Sequence, residues 1–248
     1  MGKQSGLGDN LYIAGYELSG DIGSIGNVGG GPAALDMTGI NKAAMERVGG
    51  LRDGRLQYVA YFNPDTDRAH PRLSALPTGD VACSYFRGTV LGGASANIVA
   101  KQINYDGTRG DSGEFTFAVE AQANGFGVEW GRSLTAGPRT DTTGTSGSSV
   151  DFGTGSTSFG LQAYLHVFAV TGTSVTVKLQ QSSDDGGADA WADVTGGAFT
   201  AATGVTSQRI ATSGSQTVER YLRIVTTGTF SNAVFAVSVV RNDTEVQF

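Results

Sequence analysis

Strict apolar–polar alternation in short runs, cut at intervals by glycine, restricts this chain more than any other feature. In Arg55–Asn63 (RLQYVAYFN), Leu56, Tyr58, Ala60 and Phe62 share one face, while Gln57, Val59 and Tyr61 share the other. In Glu114–Ala123 (EFTFAVEAQA), Phe115, Phe117, Val119 and Ala121 oppose Thr116, Ala118, Glu120 and Gln122. A period of two is the repeat of a β-strand with one covered and one open face. Similar runs occur at Val81–Leu91, Asn97–Tyr105 and Gly127–Leu134, and again at Gly160–Val170, Ser174–Gln181, Val218–Thr226 and Ala233–Arg241. Asp106-Gly107 and Asp111-Ser112-Gly113 read as turns between them. The 38 glycines among 248 residues are about twice the usual share of roughly 7%. With 39% hydrophobic residues the chain can bury a substantial core. The expected fold is mostly β.

Helix is confined to two places. Ile40–Arg47 (INKAAMER) follows Thr38, a suitable N-cap, and precedes Gly49, a suitable stop. A second short helix is expected at Ala69–Leu76, limited to about two turns by Pro71 and Pro77. Between Arg139 and Ser158 the chain turns Thr/Ser/Gly-rich with few large apolar groups, which reads as an interdomain linker. Domains of 1–138 and 159–248 are therefore expected around a linker at 139–158, the second an antiparallel β-sandwich of about 90 residues.

Charge and rare residues exclude several functions. The net charge of −6, with no Lys/Arg run, argues against a protein held by nucleic-acid phosphates. Cys83 is the one cysteine, so neither an internal disulfide nor a thiolate metal site is expected, and the chain suits a reducing cytoplasm. No stretch approaches the roughly 18 apolar residues of a membrane span, and Met1–Asn10 has no signal-peptide apolar region. Catalysis is not expected. His70 and His166 are far apart in sequence, and no G-x-S-x-G elbow precedes a helix. His166 reads as a packed or surface histidine on a strand, and His70 as a local hydrogen-bonding or capping residue. Asp184, Asp185 and Asp189 could gather around calcium, but their spacing matches no EF-hand; a solvated turn with Trp191 folded onto the core is the better reading. No metal or cofactor is expected. Gly20, Gly23, Gly26 and Gly29, with Ile22, Ile25 and Val28 between them, suggest a flexible arm that packs against a neighbour. Arg109-Gly110-Asp111 lies in a turn and reads as a chance tripeptide.

The segment Thr38–Pro64 (TGINKAAMERVGGLRDGRLQYVAYFNP) resembles the N-terminal domain of the major tail tube proteins of long-tailed, siphovirus-type bacteriophages. It has the turn Gly50-Leu51-Arg52-Asp53-Gly54 and the strand end Phe62-Asn63-Pro64. Gly15–Ile25 (GYELSGDIGSI) looks like that family's first strand, with Glu17 where the family has Asp, and Leu76–Asp80 and Tyr85–Thr89 fit the same group. The resemblance covers about residues 10–135. The C-terminal part is similar, more weakly, to galectin-like or immunoglobulin-like sandwiches that decorate phage tails.

The resemblance implies a tail-tube β-sandwich or barrel followed by a decoration sandwich, with homohexameric rings stacked into a hollow tube. About four strands from each of six copies, roughly 4.8 Å apart and tilted about 45°, give a backbone radius near 26 Å, enough for a DNA duplex. Gln57, Thr116, Glu120 and Gln122 are then candidate lumen residues, with Glu129 a weaker one. A neutral or acidic wall lets DNA pass without specific binding. Asp21, Ile22, Ile25, Val28, Arg52, Asp53 and His70, from the Gly20–Pro32 arm, the turn and the Asn63–Val81 loop, are candidate contacts between copies. Implied partners are sister copies and the tape-measure and tail-terminator or tail-tip proteins; the implied location is the virion tail, assembled in the bacterial host cytoplasm. The alternative is a carbohydrate-binding or capsid-decorating virion protein, in which Tyr164, Trp191 and Tyr221 of the C-terminal domain contact glycan with help from Asp184 and Asp185.

Overall fold

The structure, a computed structural model, describes residues 5–76 and 79–246. Strands β1 (Asn10–Ile13) and β2 (Tyr16–Glu17) and a 3-10 turn (Ser19–Asp21) lead to β3 (Ile22–Gly29), β4 (Pro32–Asp36), β5 (Arg47–Arg52) and β6 (Arg55–Tyr61). Next come α1 (Ala69–Leu73), β7 (Val81–Phe86), β8 (Ala94–Gln102), β9 (Asp106–Arg109), β10 (Phe115–Ala123) and β11 (Glu129–Ser133). The remainder is β12 (Arg139–Asp141), β13 (Val150–Asp151), β14 (Leu161–Ser182), β15 (Ala192–Ala198), β16 (Thr206–Ala211) and β17 (Tyr221–Arg241). The chain is thus mostly β with one short helix among the described residues, and its large antiparallel sheet is consistent with a β-sandwich. Among the described residues no helix is long and apolar enough to cross a membrane.

Two compact units divide the chain, and they interleave. The larger comprises the described parts of Met1–Gly20, Val81–Asn97 and Trp130–Phe248; the smaller comprises those of Asp21–Asp80 and Ile98–Glu129. The consecutive domains expected at 1–138 and 159–248 give way to this arrangement because β1, β2 and β7 pack with the C-terminal strands.

The larger unit is organised by two long antiparallel strands. β14 and β17, of 22 and 21 residues, pair from Leu161↔Arg241 to Ser182↔Tyr221. The alternation predicts four strands here, Gly160–Val170, Ser174–Gln181, Val218–Thr226 and Ala233–Arg241. Instead Gly172 and Gly228 sit inside continuous strands at positive φ, +135° and +124°, and the register shifts on either side of Gly172. A Cβ on Gly172 would lie 2.5 Å from the Phe230 Cα and 2.7 Å from the Thr229 carbonyl oxygen. The ribbon bends there, and residues from both halves (Leu161, Leu165 and Phe235; Val177, Leu179 and Ile224) enter one apolar core.

Residues 139–158 are no free linker. β12 pairs Arg139–Asp141 with Phe235–Ala233 of β17, Ser146 bridges Val225, and β13 pairs with Leu222 and Tyr221. Thr/Ser/Gly composition withholds apolar side chains, yet backbone pairing needs none.

The first half of β14 is covered on both faces. Its second face presents Tyr164, His166 and Phe168, with Tyr164 and His166 fully buried; Tyr12, Phe86, Ala236 and Phe168 form a satellite cluster beside them. The His166 Nε2 lies 2.9 Å from the Ser84 Oγ, and the Gly15 amide donates to its Nδ1. Burial holds the imidazole neutral, lowering its pKa from 6.5 to about 3. Below pH 6.5 the unfolded chain binds a proton at this residue that the folded chain refuses, so stability falls as pH falls. The expected slope between pH 6.5 and 5, above the carboxylate range, approaches about 1.4 kcal/mol per pH unit for this one group. Urea unfolding of the chain and of His166→Gln checks it: the slope should be present in the first and absent in the second.

Candidate assembly surfaces

In the smaller unit β3, β6 and β10 lie side by side, with β9 and the end of β8 also on β10. Leu56, Tyr58 and Ala60 of β6 and Phe117, Val119 and Ala121 of β10 are buried, matching the alternation in the sequence. α1 packs against β6 and buries Ala69 and Leu73.

On the opposite face the register sets Glu120 beside Gln57 and Gln122 beside Arg55. The Gln57 Nε2 donates to one Glu120 oxygen at 2.8 Å and the Gln122 Nε2 to the other at 3.1 Å. These amides, Gln57 first, hold the Glu120 carboxyl below its usual pKa, and the Arg55 charge adds to the effect. Thr116 stands farther along β10, opposite Tyr61, its hydroxyl directed to the Thr108 carbonyl. The four residues expected on one polar face are therefore on one face, together with Arg55, which makes it mixed in charge. Glu129 is buried and does not belong to it.

The glycine-rich segment is a strand and not a flexible arm. β3 pairs with β6 from Ile22↔Ala60 to Gly29↔Arg55, with register shifts after Ile22 and after Ile25. Ile22, Ile25 and Val28 are half-buried by that pairing. The Tyr61 ring lies over Gly23, where a Cβ would meet it at 2.9 Å. β3 ends the sheet: no strand among the described residues pairs with its outer side. It carries neither charge nor proline, the usual protections of an exposed edge.

The largest departure from expectation is Ile40–Arg47. It is the tip of a hairpin, β4–β5, in register Asp36↔Arg47 and Leu35↔Val48. Thr38 acts there as a turn residue: its hydroxyl donates to Asp36 Oδ1 at 2.5 Å and accepts from the Glu46 amide at 2.9 Å. Gly49 lies within β5 and stops no helix. Eight residues without a packing partner make a marginal helix. β4 and β5 form a two-stranded sheet of their own, and Leu35, Met37, Ile40, Met45, Val48 and Leu51 are all exposed on it, Leu51 at 90%. This surface is missed from sequence because a helical reading scatters those six side chains.

The other candidate contact residues divide. Asp21 is buried and spent internally: its Oδ1 accepts from Asn63 Nδ2 at 2.8 Å and its Oδ2 from the Ala69 amide at 3.0 Å. The Asp53 carboxylate accepts from the Gly54 amide at 2.7 Å and stabilises the β5–β6 turn, while Arg52 is exposed at the hairpin base. The His70 Nδ1 lies 3.1 Å from the Tyr105 hydroxyl, in a ring cluster with Phe62, Phe115 and Phe117 whose Phe62 and Phe115 are exposed. The 63–81 loop carries α1, while Pro77 and Thr78 of the Leu76–Asp80 motif lie outside the described residues. Asp106-Gly107, expected as a turn, lies in β9, where Gly107 leaves room for the Phe117 ring.

The C-terminal sugar platform does not form as expected, since Tyr164 is fully buried. Trp191 lies beneath the Arg223 guanidinium, 4.3 Å away, and is half-buried; it is not in the core. Asp184 accepts from the amides of Gly187, Ala188 and Asp189, so its oxygens stabilise the turn.

No protein-family model matches the chain, and no curated protein matches it. Among solved structures it is similar to a chain of the virion of a native gene transfer agent particle (12% identity, TM-score 0.41, 52% of this chain and 98% of that one). It is also similar to the SPP1 Dit protein, described as a hub of the adsorption apparatus in phages infecting Gram-positive bacteria (10% identity, TM-score 0.32, 93% and 98%). A chain of the phage p2 baseplate in its activated conformation is similar at 9% identity and TM-score 0.34, over 96% and 99%. Likeness at this level does not establish a shared fold.

Replacing Asp21 by Ala leaves the Asn63 amide and the Ala69 N–H without their charged acceptor. The expected loss is about 2–3 kcal/mol of stability, measured by urea unfolding; a change under about 0.5 kcal/mol would mean Asp21 is not an internal tie.

Proposed function

We propose that this chain is a structural protein of a phage tail whose smaller unit assembles with sister copies into six-membered rings, stacked as a tube for DNA. The observation that carries assembly is the β4–β5 hairpin, which exposes six large apolar side chains on a two-stranded ribbon. Such a ribbon is marginal alone in water, and large apolar side chains left exposed together on one short element mark an interface. The uncharged outer edge of β3 supports the same reading, because an added strand would satisfy its free backbone groups.

Ring number, tube and phage tail come from the sequence resemblance at Thr38–Pro64. On this reading the face bearing Gln57, Thr116, Glu120 and Gln122 lines the lumen. Amides and a hydroxyl dominate it, and Arg55 offsets Glu120, so it offers phosphate no basic track. The larger unit is the decoration module, and tape-measure and terminator or tip proteins meet the tube inside and at its ends. The work is mechanical, with no chemical step. Residues 20–30 are unsuited to a deletion test, since their loss would strip β3 from Leu56 and Tyr58.

Negative-stain microscopy of the purified chain should show rings or tubes. The double variant Ile40→Asp/Leu51→Asp should keep the far-ultraviolet spectrum of a β protein yet sediment as a monomer. Assembly of the variant equal to the parent would remove the hairpin from the interface; a parent that stays monomeric would sink the proposal.

A further inference from the structure

A cleft of about 400 Å³ within the larger unit is lined by Leu91, Leu134 and Ala136 together with residues of the segment Arg139–Ser148. Small-molecule pockets span about 300–1,000 Å³, so its size suits a small ligand. Its lining is built and not loose. The Arg139 Nε and Nη2 donate to the two Asp141 oxygens at 2.8 Å each, and the Thr226 hydroxyl donates to Asp141 Oδ2 at 2.7 Å. Asp141 is only 5% exposed. The Phe235 ring lies 5.5 Å from the guanidinium carbon. The rim is pinned to β17, for the Gly147 amide donates to the Ile224 carbonyl at 2.7 Å and the Thr226 amide to the Thr145 carbonyl at 3.0 Å.

We propose that this cleft binds a neutral saccharide. Three observations set the ligand class. The charges of Arg139 and Asp141 cancel within one bidentate pair, so the site attracts neither an anion nor a cation. Both Asp141 oxygens are occupied, which leaves no carboxylate for a metal ion. The remaining capacity is hydroxyl-like: the side chains of Thr140, Ser146 and Ser148 are exposed and make no intramolecular hydrogen bond, and Arg139 Nη1 makes none either. Leu91 and Ala136 add apolar surface to the same lining. A sugar ring presents the same two characters, a C–H face and an equator of hydroxyls that both donate and accept. Gly147 belongs to the design, because a Cβ there would collide with Arg139 Nη1. The site is independent of the assembly proposal and of the expected Tyr164–Trp191–Tyr221 platform, none of whose residues line it.

Saturation-transfer NMR on the full chain tests this, with glucose, galactose, N-acetylglucosamine, rhamnose and glucuronate as separate probes at millimolar concentration. At least one neutral sugar should receive saturation, with glucuronate weaker. Ser146→Ala/Ser148→Ala, two exposed substitutions that spare the backbone pairing, should weaken that binding about tenfold. Gly147→Val should abolish it while the far-ultraviolet spectrum is retained. No transfer to any neutral sugar, stronger transfer to glucuronate, or equal transfer in the parent and the serine double variant would each overturn the assignment.

Discussion

Burial of apolar surface decides the behaviour of this chain, and the β4–β5 hairpin is where that requirement is unmet. Its six exposed large apolar side chains are worth roughly 9–18 kcal/mol if fully covered, at about 1.5–3 kcal/mol each. Association costs about 4–15 kcal/mol in lost freedom. The balance favours assembly only when most of the six are covered together. A partner that grips the tip alone gains too little, so the proposed assembly requires the hairpin to lie along a neighbour.

The two units meet that requirement differently. In the larger one, the 22- and 21-residue strands pair along their length and bend at Gly172 and Gly228 to close one core. Inside it Asp141 is paired with Arg139 and Thr226, and His166 with Ser84. That unit has a closed interior of its own. In the smaller unit β6 and β10 cover their apolar face, but the β3 edge and the hairpin stay open. Openness concentrated in one unit is what a protein built for association shows, while a closed unit is free to carry a separate binding role.

How much was legible in the sequence follows from which forces are local. The alternation in β6 and β10 places Leu56, Tyr58, Ala60, Phe117, Val119 and Ala121 correctly, because side-chain period and burial are tied in a half-covered strand. The polar row of Gln57, Glu120 and Gln122 was legible for the same reason. Ile40–Arg47 is no helix because eight residues without a packing partner hold one only marginally, while Thr38 bonds both Asp36 and Glu46 across the hairpin end. The four strands expected between Gly160 and Arg241 are two, because glycines such as Gly172 and Gly228 serve turns and strand irregularities alike, and only the partner strand tells them apart. Tyr164 was misplaced because β14 is covered on both faces there, which alternation cannot show. Asp21 was misjudged as a contact because its partners, Asn63 and Ala69, are distant in sequence. The Arg139–Ser148 cleft went unseen since its segment reads as a linker.

Amide hydrogen exchange, compared between dilute monomer and concentrated assembled protein, bears most directly on whether sister molecules complete the smaller unit. Peptides covering β3 and the β4–β5 hairpin should slow strongly on assembly, whereas those from β14 and β17 should exchange alike in both states. Unchanged exchange at Ile22–Arg52 in protein that has assembled would contradict the account, because its free edge and apolar ribbon would then still face water.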